Sequence, residues 1–374
     1  MKSAQLIVTK HSLSEVVQKL QCESIIGVDT EGNSLYSYQE RVCLIQISTS
    51  TEDFIIDPFA IDDLTELQTV LENKEIEKVL HASEYDLFGL WRDFGWRIEG
   101  LFDTMIAARS LGWKNLSLAS ILLNQYSIRI DKKFQLADWA KRPLTEDQLL
   151  YAQLDTHYLL SIRDVMVNQI IERDQWFEVY EEFDRVARVS RRNPHKKSIN
   201  DFWKITGAQK LRGKNSAVLL ELYKYRDKIA VKLDVPPFRI VRDHILIEIS
   251  LQCPQNKQQL EYVKGMNPRL IRLHHQGILK AVRAGIVAEH PVKPQKKKID
   301  PLIRDRYQSL KMWRKNVATK RGVSSDVIIA REVLWNLAVF NPIDYSQLEL
   351  VEDLGSWRRK TYGKDILQVL QNGL

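Results

Sequence analysis

The chain has 374 residues, enough for two or three domains, and carries 55 Lys and Arg against 48 Asp and Glu, a net charge of +7. No run of about 20 apolar residues occurs, so no membrane-spanning helix is expected, and the N-terminus from Met1 to Lys10 lacks the long apolar core and small-residue cleavage site of a secretory signal. The three cysteines, Cys22, Cys43 and Cys253, are odd in number and far apart; they match neither a disulfide framework nor a zinc spacing, and a reducing, cytoplasmic location is expected.

The first strong feature is the apolar run Ile25 to Val28, which reads as a buried strand ending in Asp29-Thr30-Glu31. Residues two apart on a strand share a face. Asp29 and Glu31 are therefore expected to project together from the strand's C-terminal end, where α/β sheets tend to place ligands. Two more apolar runs follow after short connections, Val42–Ile47 and Phe54–Ile56, and predict an antiparallel meander. Tyr36 and Tyr38 fall in the loop between the first two strands, where they can either stack on bases or pack the loop.

Helix-like and strand-like segments then alternate: Leu64–Leu71, Val79–His81, a helix over 83–94 with Ser83 as its N-cap, and Thr104–Leu111. This is an α/β pattern. Asp86 lies in the first turns of the 83–94 helix, a position where an acid ordinarily serves only the helix dipole. Thr145 predicts the start of a further helix, with Gln148 completing a capping box, and apolar positions carry that helix through Leu149, Leu150, Leu154, Tyr158, Leu159 and Ile162. Tyr151 and Asp155, four apart, share one face of it. His81, His157, His274 and His275 show no zinc spacing and read as ordinary surface or core residues, His157 pointing away from Asp155. No Gly-rich phosphate loop with a following Lys-Ser/Thr is present, which speaks against an ATP-driven motor.

Charge divides unevenly. Residues 1–190 hold 19 Lys and Arg against 31 Asp and Glu, a net of −12; residues 191–374 hold 36 against 17, a net of +19. A basic half attracts phosphate backbones while an acidic half attracts cations. The basic half is also internally repeated. Leu222, Tyr225, Arg226, Ile229, Ala230, Val241 and Leu246 match Leu310, Trp313, Arg314, Val317, Ala318, Ile329 and Leu334 at a constant offset of 88, and the register continues to Leu260/Leu348, Val263/Val351 and Ile278/Ile366. The apolar spacing is helical, and so long a period predicts two small helical domains rather than a solenoid. Basic, proline-containing linkers are expected at 190–197 and 290–298.

Asp29, Glu31, Asp86, Tyr151 and Asp155 occur in an order that resembles the DEDD exonuclease superfamily, in its tyrosine-containing subgroup, and within it the ribonuclease D family. Asp103-Thr104 and the stretch from Asp131 to Thr145 strengthen the resemblance, which covers about residues 20 to 190. The chain departs from the family at Gly32, where many members carry an aromatic residue. The repeated segments resemble the HRDC domain, the first copy more closely, at Trp203 to Ala208 and Val263 to Met266.

These resemblances imply a ribonuclease-H-like exonuclease domain over 1–190, with a mixed sheet flanked by helices, followed by two all-α bundles over 200–285 and 300–374. They imply that Asp29, Glu31, Asp86 and Asp155 hold two divalent cations, Mg²⁺ or Mn²⁺, hard ions suited to oxygen ligands. They imply that Tyr151 orients the attacking water. The implied reaction removes nucleoside 5′-monophosphates one at a time from an RNA 3′ end, with transfer RNA precursors the family's typical substrate and a monomer the expected state. Two alternatives stand beside it: a 3′–5′ exonuclease acting on DNA, and a non-catalytic nucleic-acid-binding adaptor.

Overall fold

In the computed structural model, which describes residues 2–189, 198–294 and 298–372, the apolar runs of the N-terminal half pair into one six-stranded sheet. In chain order, β1 (Gln5–Ile7) leads to α1 (Lys10–Leu20). The strands β2 (Ile25–Gly32), β3 (Val42–Ser48) and β4 (Asp53–Ile56) follow, then α2 (Thr65–Leu71), β5 (Glu77–Leu80), α3 (Glu84–Phe94), β6 (Leu101–Asp103), α4 (Thr104–Ser110) and α5 (Leu118–Tyr126). Three helices close this part: α6 (Glu146–His157), α7 (Leu159–Glu172) and α8 (Trp176–Val189). The strand order is β1-β4-β3-β2-β5-β6; β2/β3 and β3/β4 are antiparallel, as the short connections predict, and the remaining pairs are parallel.

The central strands are buried on both faces, which is why they read as continuous rather than alternating apolar runs. Ile45, Ile47, Phe54 and Ile56 enter the larger core with Val28, Val79 and the helices, while Leu44 and Ile55 point the other way, against Ala152 of α6 and against Trp139, which precedes that helix.

Two expected details differ. Ser83 does not cap α3: its backbone N–H and hydroxyl both donate to Asp103, at 2.7 and 2.8 Å, and no side-chain cap forms. The helix predicted to run unbroken to Ile162 ends at His157, and α7 starts after Tyr158. No Pro or Gly marks the break. It falls where the chain packs closely on β2: a Cβ added at Gly27 would stand 3.0 Å from the Thr156 carbonyl and 3.3 Å from Leu160 Cδ1.

Residues Met1–Gly32, Val42–Arg192 and Lys298–Leu374 form one compact unit; Asn33–Arg41 and Asn193–Lys297 form the other. The second unit contains α9 (Gly213–Leu233), α10 (Pro237–Ile240), α11 (Asp243–Gln252), α12 (Lys257–Glu261) and α13 (Pro268–Val287). Its core is built from residues such as Leu222, Leu246, Leu260, Ile278 and Val282. Tyr38 packs on that core and donates its hydroxyl to Asp227 at 2.9 Å, and the Tyr36 ring lies 4.2 Å from the Arg239 guanidinium. Both tyrosines are thus engaged in packing this bundle.

The second bundle contains α14 (Pro301–Arg321), α15 (Ser325–Ile328), α16 (Arg331–Phe340), α17 (Tyr345–Leu348) and α18 (Ser356–Asn372), around Leu310, Leu334, Leu348 and Ile366. The offset of 88 survives as structure. Arg226 donates to the Val241 carbonyl at 3.1 Å in one copy, and Arg314 to the Ile329 carbonyl at 2.8 Å in the other. The linker expected at 190–197 lies outside the described residues, as do positions 295–297 of the second linker. Among the described residues, no helix is long and apolar enough to cross a membrane.

Within the first unit the second bundle docks on α8. Arg321 forms a two-pronged pair with Glu178, at 2.8 and 2.6 Å, and donates to the Tyr362 hydroxyl at 2.6 Å. Arg358 pairs with Glu181 at 3.0 Å, and the Trp357 N–H donates to the same carboxylate at 2.6 Å. Glu181 comes this close because position 355 is glycine: a Cβ there would sit 1.8 Å from its carboxyl carbon. Glu178 is 1% exposed, so removing its partner strands a buried charge, at a cost of about 3–5 kcal/mol. Arg321→Ala is expected to lower the unfolding free energy by about that amount in urea denaturation followed by far-UV circular dichroism; an unchanged midpoint would contradict this account of the docking.

Candidate functional site

The site begins with β2, whose C-terminal half carries Asp29 and Glu31 on one face of the sheet. Across that face lies α6. Its start is fixed by the predicted capping box: the Thr145 hydroxyl accepts from the Gln148 N–H, and the Gln148 side chain accepts from the Thr145 N–H. Its far end is fixed by a buried polar layer. Thr156 and Ser48 share a hydrogen bond of 2.6 Å, Gln153 donates to Asp53 at 2.6 Å, and His157 Nδ1 lies 2.8 Å from the same carboxylate. His157 does point away from Asp155, as expected, and serves to seat the helix.

Seated this way, α6 brings Asp155 to the two β2 acids. Asp29, Glu31 and Asp155 each offer a carboxylate oxygen within 4.8 Å of the others, and among the described residues no other group of three acids, histidines or cysteines does so. Burial raises the pKa of all three, and their mutual repulsion adds to it. Asp29 stands well above the ordinary carboxylate value through burial first, then Asp86, Asp155 and Glu31. Glu31 is raised likewise by burial, then by Asp155 and Asp86. Asp155 is pushed up to about 7 by burial and by Asp86.

Asp86 stands beside this trio rather than in it. From the first turn of α3 its carboxylate accepts from the Thr30 N–H at 3.1 Å and from the Thr30 hydroxyl. Burial lifts it to about 7, while the Thr30 hydrogen bonds oppose the rise. Asp103 holds the approach to α3: besides Ser83, its carboxylate accepts from Met105 N and Ile106 N, capping α4. Asp103-Thr104 therefore acts in the framework behind Asp86.

Tyr151 sits one turn before Asp155, half-buried, with Trp139 and Phe134 against its ring at centroid distances of 6.0 and 6.1 Å. Burial, then Asp155, Glu31 and Asp29, raise its pKa, so the hydroxyl keeps its proton. Three residues around the site, Asp53, Gln153 and Gln46, carry no motif of their own. Gln46 offered the clearest signal, a polar residue inside the otherwise apolar run Val42–Ile47.

A single binding locus of clustered, charge-repelling carboxylates suits a hard divalent cation. The donor set is all oxygen, its members are close enough to share one ion, and a positive charge would offset the burial, and then the repulsion, that raise their pKa values.

Residues 4–171 match the 3′–5′ exonuclease family, and residues 215–282 and 304–370 each match the HRDC domain. The exosome complex component 10 homolog of Caenorhabditis elegans is 34% identical over 254 residues, covering 67% of this chain and 29% of that protein. The chain spans roughly a third of the length of such relatives. Ribonuclease D of Bartonella henselae is 26% identical over 375 residues, covering 98% of this chain and 90% of that one. The crystal structure of Escherichia coli RNase D, an exoribonuclease involved in structured RNA processing, superposes with a TM-score of 0.71 at 25% identity, covering 99% of both chains. The chain thus joins a 3′–5′ exonuclease domain to two HRDC domains and is a homologue of ribonuclease D along nearly its whole length.

Proposed function

We propose that the chain is a metal-dependent 3′–5′ exoribonuclease that releases nucleoside 5′-monophosphates, and that it trims the 3′ ends of transfer RNA precursors and other structured RNAs. The observation that carries this reading is the approach of Asp29, Glu31 and Asp155 to within 4.8 Å of one another. RNA, rather than DNA, is supported by the relatives: a ribonuclease D matches over nearly the whole chain, and the Escherichia coli enzyme acts on structured RNA.

In this reading Asp29, Glu31 and Asp155, with Asp86 beside them, would hold divalent Mg²⁺ or Mn²⁺. Cations held there would lower the pKa of a bound water and offset charge on the scissile phosphate. Tyr151 orients the attacking water by donating from its hydroxyl, and its raised pKa keeps it from serving as a base. Trp139 and Phe134 hold the ring in place. The chain divides into the exonuclease domain over 1–190 and two HRDC domains over 200–285 and 300–374, a division supported by the separate apolar cores. The basic half, at +19, draws RNA to the protein through its phosphates. The protein works as a monomer in the cytoplasm, a location its three free cysteines support.

The test is a time course on matched 3′-tailed RNA and DNA oligonucleotides in Mg²⁺, Mn²⁺ or EDTA. Stepwise, metal-dependent shortening of RNA with DNA spared is expected. Faster loss of DNA would transfer the proposal to a DNA exonuclease, and no loss of either would favour a binding adaptor. Asp29→Asn is expected to cut the rate about 10³-fold, the several kcal/mol that metal-assisted charge stabilisation supplies, while RNA binding persists in a filter assay; wild-type turnover by this variant would remove Asp29 from the site. Tyr151→Phe is expected to slow the reaction about 10²-fold through loss of water positioning, with the Mg²⁺-induced rise in melting temperature unchanged. An unaltered rate would leave Tyr151 a packing residue.

A further inference from the structure

Gln46 lies within β3, whose residues from Val42 to Ile47 are otherwise apolar, and is fully buried. Neither its Nε2 nor its Oε1 has a hydrogen-bond partner. Buried amides are nearly always paired, because an unmade hydrogen bond leaves the desolvation cost uncompensated. A glutamine here therefore calls for an explanation that packing does not supply.

The register of the sheet gives one. Gln46 is directly opposite Asp29 in the antiparallel β2/β3 pair. Residues opposed in this way point to the same face, with Cβ atoms about 4.5–5.5 Å apart, within reach of a glutamine side chain. Two residues along the strand, Ser48 faces the same side and is paired with both Thr156 and Asp53. Asp53, Gln153, Thr156 and His157 on that face are likewise paired. Gln46 is next in the row toward the carboxylates, and its amide alone among these groups is left over.

We infer that Gln46 is a positioning residue for the carboxylate cluster: when a cation is held there, its otherwise unpaired amide N–H donates to the Asp29 carboxylate and fixes which oxygen Asp29 turns toward that cation. The inference rests on the proposed metal site and adds a residue to it. Gln46 itself binds neither cation nor RNA. Its effect passes through Asp29, so it should show in metal affinity rather than in folding.

Gln46→Met separates the two roles, because methionine matches glutamine in length and carries no polar group. If Gln46 positions Asp29, the variant melts at the same temperature as wild type or higher in EDTA, since an unpaired amide has been removed. Its Kd for Mn²⁺, measured by calorimetry, then rises about tenfold or more, the usual effect of losing an outer partner of a metal ligand. An unchanged Mn²⁺ affinity would overturn the inference while leaving the metal site standing. Failure of the wild type itself to bind Mn²⁺ would overturn both. A measurement on the wild-type protein guards against a variant that does not fold. The selectively labelled Gln46 side-chain amide should shift in the NMR spectrum on Mg²⁺ addition, and a resonance that does not move counts against the inference.

Discussion

Like charges held together are the constraint on which this structure turns. Asp29, Glu31 and Asp155 would separate if free, yet the backbone keeps their oxygens within 4.8 Å. Two of them come from one strand, where alternation alone sets them side by side. The third arrives on α6, which packs so closely on β2 at Gly27 that a Cβ there would stand 3.0 Å from the Thr156 carbonyl. The capping box at Thr145, the Asp53 network and the Ser48–Thr156 bond hold that helix in register. Much of the buried polar chemistry of the domain is thus spent on seating one helix, and the raised carboxylate pKa values are the electrostatic sign of what that seating enforces.

The second bundle depends on charge in a different way. Its two arginines, Arg321 and Arg358, meet α8 at Glu178 and Glu181, so part of the basic surplus of the C-terminal half is consumed within the protein. At the offset of 88 in the first bundle, Leu233 stands for Arg321 and Leu270 for Arg358. Duplication therefore preserved the inner hydrogen bond of Arg226 and Arg314 while the outward chemistry of the copies diverged. The second copy is committed to the nuclease surface.

Much of this was legible in the chain. Alternation put Asp29 and Glu31 on one face, four-residue spacing aligned Tyr151 with Asp155, and the constant offset revealed the repeat. Local rules suffice for such features because the residues concerned are neighbours in sequence. They fail where distant partners decide. Ser83 has the side chain of an N-cap, but Asp103, twenty residues on, offers a better acceptor and takes its hydroxyl. The break at Tyr158 has no breaker residue and comes from packing against Gly27. The pairing of Glu178 with Arg321 spans 143 positions, and no pattern in either segment announces it. Gln46 was visible as an oddity in an apolar run, but its opposition to Asp29 required the sheet register.

The most direct test of the central claim is anomalous diffraction from a crystal soaked in Mn²⁺. The account predicts a strong anomalous peak coordinated by oxygens of Asp29, Glu31 and Asp155, with Asp86 on the side of any second peak. A crystal that takes up Mn²⁺ elsewhere, with no peak among these three carboxylates, would contradict it.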